Sequence, residues 1–251
     1  MTPVHTIESL LTGLIAGFIC GLTGMGGGTI YVPVFYFLFG FSIKKAIGTS
    51  LLVIFISSVS AFFAHARGRQ IDFKMSIYLV VSGIIGAQIG SAITARLPDI
   101  AVKIFFICLT MFLSFNMWRD RKNEVESCPA NMNFSPVKLT LIGLTGGVIS
   151  GMGGVGGAIV LVPLLHLCCG VPMNICIGTT LSVVIFNSLS GVIGYFYHNL
   201  VDVQTGTVTG IVAVFTAVAG AKLSMKTPTR KLRKIFSVIL LMAGLAVVFG
   251  R

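Results

Sequence analysis

Apolar residues run along this chain in blocks separated by short clusters of charged or turn-forming residues. Blocks at 8–41, 43–65, 74–95 and 100–118 precede a polar stretch at 119–137; blocks at 138–168, 172–197, 204–223 and 234–250 follow it. A helix that crosses a bilayer needs about 20 predominantly apolar residues, so most blocks read as one membrane helix each. The opening block of each half is different. As a single helix, 8–41 would be roughly 50 Å long, against a hydrocarbon core of about 30 Å. It also contains Gly24-Met25-Gly26-Gly27-Gly28, and 138–168 contains Gly153-Gly154-Val155-Gly156-Gly157. Such runs disfavour continuous helix. Each opening block is therefore predicted to form two short helices joined by a glycine turn inside the membrane. The pattern gives an all-α, polytopic membrane protein with 8–10 membrane helical segments.

The two sets of blocks are copies. At an offset of 130 residues, Gly13, Gly17, Gly21, Gly24, Gly26, Gly27 and Pro33 return as Gly143, Gly147, Gly151, Gly154, Gly156, Gly157 and Pro163. The register continues through Ile47-Gly48-Thr49 and Ile177-Gly178-Thr179, Ser60 and Ser190, Asp72 and Asp202, Gly90 and Gly220. Two homologous four-segment halves, 1–118 and 138–251, thus flank a linker at 119–137. Paired repeats are a common plan of secondary transporters, with substrate held at the repeat interface.

Composition agrees with a lipid setting: 55% of residues are hydrophobic and 10% charged, against roughly 25% charged in soluble domains. This excludes a soluble enzyme or a nucleic-acid-binding domain, and the net charge of +11 is read as loop charge that orients the helices. If each opening block returns to its starting side, thirteen of the 18 basic residues fall on one side. Lys44, Lys45, Arg96, Lys103 and Arg251 remain on the other. If each block crosses once, the bias vanishes. The positive-inside rule favours the first arrangement, with a cytoplasmic linker, both termini outside and the halves inverted relative to one another. No cleavable leader is evident, since the first lysine is Lys44, and the first block is read as retained.

Glu8, Asp72, Asp99, Asp120, Glu124, Glu126 and Asp202 all lie at or beyond block ends. Cation and proton pathways usually rest on intramembrane Asp, Glu or His, so a neutral or anionic substrate fits better. The glycine breaks offer chemistry for an anion: exposed backbone amides, the positive end of a half-helix, and close approach without a Cβ. The candidate binding residues are Thr23, Gly24, Met25, Gly26, Gly27 and Gly28 in the first half, and Gly153, Gly154, Val155, Gly156 and Gly157 in the second. The hydroxyl pairs Thr49-Ser50 and Thr179-Thr180 could donate to the same anion or bond back to their own helices. Asn187 stands where the first half has Ser57, so any site there is asymmetric. Gly13, Gly17, Gly21 and their copies read as helix-packing stripes. Asp72 and Asp202 read as helix caps, and His65 and His198 as boundary anchors.

No metal or cofactor is expected. His166, Cys168 and Cys169 fit no standard zinc spacing. Ser150-Gly151 with His166 or His198 lacks an orienting acid and any serine-hydrolase signature, so an enzyme is not expected.

Gly24-Met25-Gly26-Gly27-Gly28, then Val32-Pro33, Ala46-Ile47-Gly48-Thr49-Ser50-Leu51 and Ala87-Gln88-Ile89-Gly90, resemble the TauE/SafE family of sulfite and organosulfonate exporters, also called the toluene sulfonate uptake permease family. The likeness covers nearly the whole chain. In the second copy Val155 replaces Met25, Ala158 replaces Gly28 and Thr180 replaces Ser50. The resemblance implies a multi-pass transporter in the cell inner membrane, carrying small sulfur-containing anions such as sulfite, sulfoacetate or other organosulfonates. Alternating access at the repeat interface is the expected mechanism. A passive anion channel and a non-transporting membrane scaffold are the alternatives. Coupling ion and oligomeric state are not legible.

Overall fold

A computed structural model describes residues 3–23, 27–67, 71–118 and 135–224, together with 237, 238, 241, 242, 244, 245 and 247. Nearly all of the linker at 119–137 lies outside the described residues, as do Gly24, Met25 and Gly26. Among the described residues the secondary structure is entirely helical. The first half holds α1 (Pro3–Thr23), α2 (Gly28–Phe37), α3 (Ile43–Arg67), α4 (Phe73–Arg96) and α5 (Asp99–Trp118). The second holds α6 (Pro136–Gly153), α7 (Ala158–Cys169), α8 (Met173–Phe196) and α9 (Val203–Ser224).

Both opening blocks break where the glycines predict, but the pieces are unequal. α1 and α6 contain 21 and 18 residues, about 32 and 27 Å of helix, whereas α2 and α7 contain 10 and 12. The expectation of two short helices holds only for the second member of each pair, because nothing interrupts helix before the glycine run. Segments of α3, α4, α8 and α9 are long and apolar enough to cross a membrane. On α4, Ile77, Val81, Ile85 and Ile89 form an exposed stripe at helical spacing, while Leu79, Gly83, Ala87 and Gly90 are turned inward. An apolar exterior of this kind suits contact with lipid tails and marks a multi-pass membrane protein.

The halves are interlocked. α1 packs on α9 and α6 packs on α4, so each half lays its first helix against the fourth helix of the other. The glycine stripes make this possible. A Cβ on Gly17 would fall 2.6 Å from the Ala213 Cα, and one on Gly147 would fall 2.9 Å from the Gly83 Cα. Ala213 and Gly83 are themselves repeat equivalents. The small residues let backbones touch, and every larger residue would push the pair apart. Side-chain bonds repeat the exchange: Ser60 Oγ donates to the Val214 carbonyl at 3.2 Å and Ser190 Oγ to the Ile84 carbonyl at 2.9 Å.

α3 and α8 form the central pair. Gly48 near the start of α3 approaches Tyr195 near the end of α8, and Leu51 lies against Gly191. These two equivalent helices therefore run antiparallel. The turn before α7 lies against both, between Ile54 and Val184.

Candidate functional site

The α6–α7 break has three glycines in the left-handed region: Gly154 (φ 66°), Gly156 (φ 73°) and Gly157 (φ 83°). A residue with a Cβ pays roughly 1–2 kcal/mol at such angles, so the backbone path itself requires glycine. Gly157 caps α7 without offering any side-chain oxygen. The amides of Val160 and Leu161 both donate to its carbonyl at 3.0 Å. Amides ahead of them in the first turn have no intrahelical acceptor, and the positive end of the α7 dipole lies at this turn.

The first break follows the same path where it is described. Gly27 (φ 64°) caps α2, and its carbonyl accepts from Ile30 and Tyr31 at 2.9 and 3.2 Å. Thr23 ends α1. The two breaks touch: a Cβ on Gly28 would lie 2.6 Å from the Val155 Cα and press on the Gly154 carbonyl oxygen. Ser50 Oγ donates to that same Gly154 carbonyl and to the Ile47 carbonyl, each at 2.8 Å. Ser50 thus ties α3 of one half to the break of the other.

Around the second break lies a group of polar atoms with no partner among the described residues. Asn187, Ser150 and Ser188 are all fully buried. Among the described residues, neither amide atom of Asn187 nor the hydroxyl of Ser150 or Ser188 has a hydrogen-bond partner. A Cβ on Gly157 would sit 3.3 Å from Asn187 Nδ2 and 3.2 Å from Ser150 Cβ; one on Gly156 would sit 3.6 Å from Ser188 Oγ. Buried polar groups are nearly always paired, and each left unpaired costs about 1–3 kcal/mol. Three such residues lie around one glycine turn as a cradle of neutral donors and acceptors, with the Asn187 amide between that turn and Gly83 of α4, where a Cβ would press on Asn187 Oδ1. Asn187 was legible as a candidate. Ser150 and Ser188 were not, although Ser150 replaces Cys20 and Ser188 adjoins Asn187.

Of the remaining hydroxyl candidates, Thr49 and Thr179 hold the halves together and Thr180 does not. Thr179 Oγ1 accepts from the Asp72 amide at 3.1 Å, and Thr49 Oγ1 accepts from the Asp202 amide at 3.0 Å. Thr180 Oγ1 donates back to the carbonyls of Cys176 and Ile177 at 2.7 and 3.1 Å. Asp72 and Asp202 cap α4 and α9 by accepting from Met75 and Thr205, both at 3.0 Å. One clasp is charged: Lys45 Nζ lies 2.9 Å from Asp202 Oδ2, whereas Ile175 occupies the matching position beside Asp72. Partial burial works to raise the Asp202 carboxyl, but the Thr205 amide and the Lys45 ammonium outweigh it and hold it below the usual value. His166 Nδ1 is engaged with the Val171 carbonyl at 2.8 Å, closing the end of α7.

The family profile described as sulfite exporter TauE/SafE matches residues 9–247. A probable membrane transporter protein of Methanocaldococcus jannaschii is 27% identical, over 94% of this chain and 92% of that one. The probable membrane transporter proteins YunE and YdhB of Bacillus subtilis are 22% and 25% identical; each alignment covers 96% of this chain, with 96% and 99% of the relative. No solved structure matches. With both glycine breaks and nearly the whole chain inside the matched span, this multi-pass membrane protein belongs to the TauE/SafE sulfite exporter family, a family of transporters and not of enzymes.

Proposed function

We propose that the protein carries small sulfur-containing anions, such as sulfite, sulfoacetate or another organosulfonate, across the cell inner membrane by alternating access. The anion is held where the two glycine breaks meet, by backbone amides of the α7 start together with Asn187, Ser150 and Ser188. The observation that carries this reading is the cradle itself: buried, unpartnered polar groups on a left-handed glycine turn. Non-helical backbone at membrane depth is tolerated where it is buried in protein or lines a cavity, and helix N-termini favour negative charge. Gly24, Met25 and Gly26 belong to the same proposed site, with Gly27 and Gly28 completing the first break. Ser50 positions the second break, Thr49 and Thr179 clasp the two halves, Thr180 bonds back within α8, and Thr23 and Gly153 begin the breaks.

The antiparallel course of α3 and α8 supports an inverted pair of repeats, 1–118 and 138–251. With the basic residues counted as above, the linker at 119–137 is cytoplasmic and both termini are outside. Transport follows from rocking of one half against the other.

Purified protein in liposomes tests the reading. Labelled sulfite or sulfonate uptake should saturate and show counterflow, and Gly156→Leu should reduce it at least about tenfold while the protein remains folded. Unchanged flux in a folded variant rejects the site. Unsaturated current without counterflow would assign a passive channel instead, and no flux at all would leave a scaffold.

A further inference from the structure

The chemistry of the cradle selects among sulfur anions. Its side-chain groups are neutral: one amide and two hydroxyls. The first 43 residues contain no Lys or Arg, and the break at 153–157 contains none either. Among the described residues, α8 packs mainly against α3, α4, α6 and α7. Their basic residues, Lys44, Lys45, Arg67, Lys74, Arg96 and Lys138, all stand in first or last turns. Other titratable groups on these helices and on α8 are His65, Tyr78, His166, Cys168, Cys169, Cys176 and Tyr195. None adjoins Asn187 in sequence, and the Tyr195 hydroxyl is engaged with the Gly151 carbonyl at 2.7 Å.

Two consequences follow. The cost of taking an ion out of water rises steeply with its charge, and without a fixed cation nothing here repays it twice over. The cradle therefore suits one negative charge. It also offers more than donors. Whichever way the Asn187 amide is turned, one buried end donates and the other accepts, and both are unpartnered. A fully deprotonated oxyanion satisfies only donors. An oxyanion that keeps one proton satisfies both ends.

We propose, resting on the transport reading above, that the species bound and carried is a singly charged, protonated oxyanion: hydrogensulfite in preference to the sulfite dianion. The Asn187 carbonyl accepts its O–H, while the Asn187 NH2, the Ser150 and Ser188 hydroxyls and the first amides of α7 surround its charged oxygens. Sulfonates enter as permanent monoanions and leave the acceptor unfilled.

The experiment is flux into liposomes holding the full chain, at fixed subsaturating sulfite, on either side of the second ionisation of sulfite. Protein-free liposomes are subtracted, and methanesulfonate, whose charge is constant, serves as the reference at each pH. The sulfite rate, divided by the methanesulfonate rate, should fall about tenfold for each pH unit above that ionisation. Asn187→Leu should reduce hydrogensulfite flux several-fold more than methanesulfonate flux, with Ser188→Ala as a second variant should the first fail to fold. A ratio that is flat, or that rises with pH, overturns the preference while leaving sulfur-anion transport standing. Absence of saturable flux for either anion overturns the transport reading, and this inference with it.

Discussion

Where both are described, the two glycine breaks share a backbone and differ in what surrounds it. Gly27 and Gly157 both cap short helices with left-handed angles, and in each the nearest atoms come from equivalent positions: Cys20 and Ala16 for Gly27, Ser150 and Gly146 for Gly157. The side chains then diverge. Beside Gly27, the Tyr31 ring fills the space, and Ser57 Oγ donates to its own helix at the Ile54 carbonyl, 3.3 Å away. Beside Gly157, Leu161 stands at the tyrosine position, and Ser150 and Asn187 replace Cys20 and Ser57 with polar atoms left unpartnered. Among the described residues the two turns share their cap geometry; the second gathers Ser150, Ser188 and both ends of the Asn187 amide as unpartnered polar groups, whereas the first has the Tyr31 hydroxyl alone.

That comparison can be broken at the backbone. A Cβ on Gly157 would lie 2.8 Å from the Gly146 carbonyl oxygen, and one on Gly27 would lie 2.8 Å from the Cys20 Cβ. Strain and crowding act together, so Gly27→Ala and Gly157→Ala should each lose about 2–4 kcal/mol of stability in detergent unfolding. A difference above about 1 kcal/mol would show that the breaks do not make the same demand.

The side chains sharpen it. Removing a hydrogen bond to a charged ligand costs about 1.5–3 kcal/mol, so Asn187→Ala should lower anion flux at least about tenfold. Ser57→Ala, which removes a bond internal to α3 and a 3.9 Å contact with Cys20 Sγ, should change flux less than about threefold. Equal losses would mean that both breaks hold substrate.

The clasps predict symmetry again. Thr49→Val and Thr179→Val each leave an Asp amide without its acceptor, and each should cost about 1–2 kcal/mol in the same unfolding measurement. The smallest effect separates the two clasps by pH. Asp202 is held below the usual carboxylate value in the folded protein. Its contribution is therefore complete above the unfolded value and is lost as pH falls through the lowered one. Asp202→Asn should abolish that part of the acid sensitivity of melting. The effect is below about 1 kcal/mol, because Lys45 and Asp202 are 35% and 25% exposed.

The sequence alone determined most of the helices among the described residues, the 130-residue recurrence of glycine motifs, the places where helix must stop and the stripes where backbones meet. These follow from local chemistry: apolar run length, glycine's freedom and small-residue spacing. Residue by residue, Gly154, Gly156 and Gly157 declared themselves because no other residue readily takes their angles. Hydroxyl roles were not legible. Thr49 and Thr180 carry the same group near the starts of equivalent helices, yet one accepts from Asp202 and the other bonds back to its own turn. In sequence Ser150 is weighed only as a hydrolase nucleophile and set aside, and only the fold brings it to Gly157 beside Asn187. A hydroxyl or amide bonds whatever the fold brings within reach. For Ser50, Thr49 and Thr179 that partner lies more than 100 residues away, where only tertiary packing decides it.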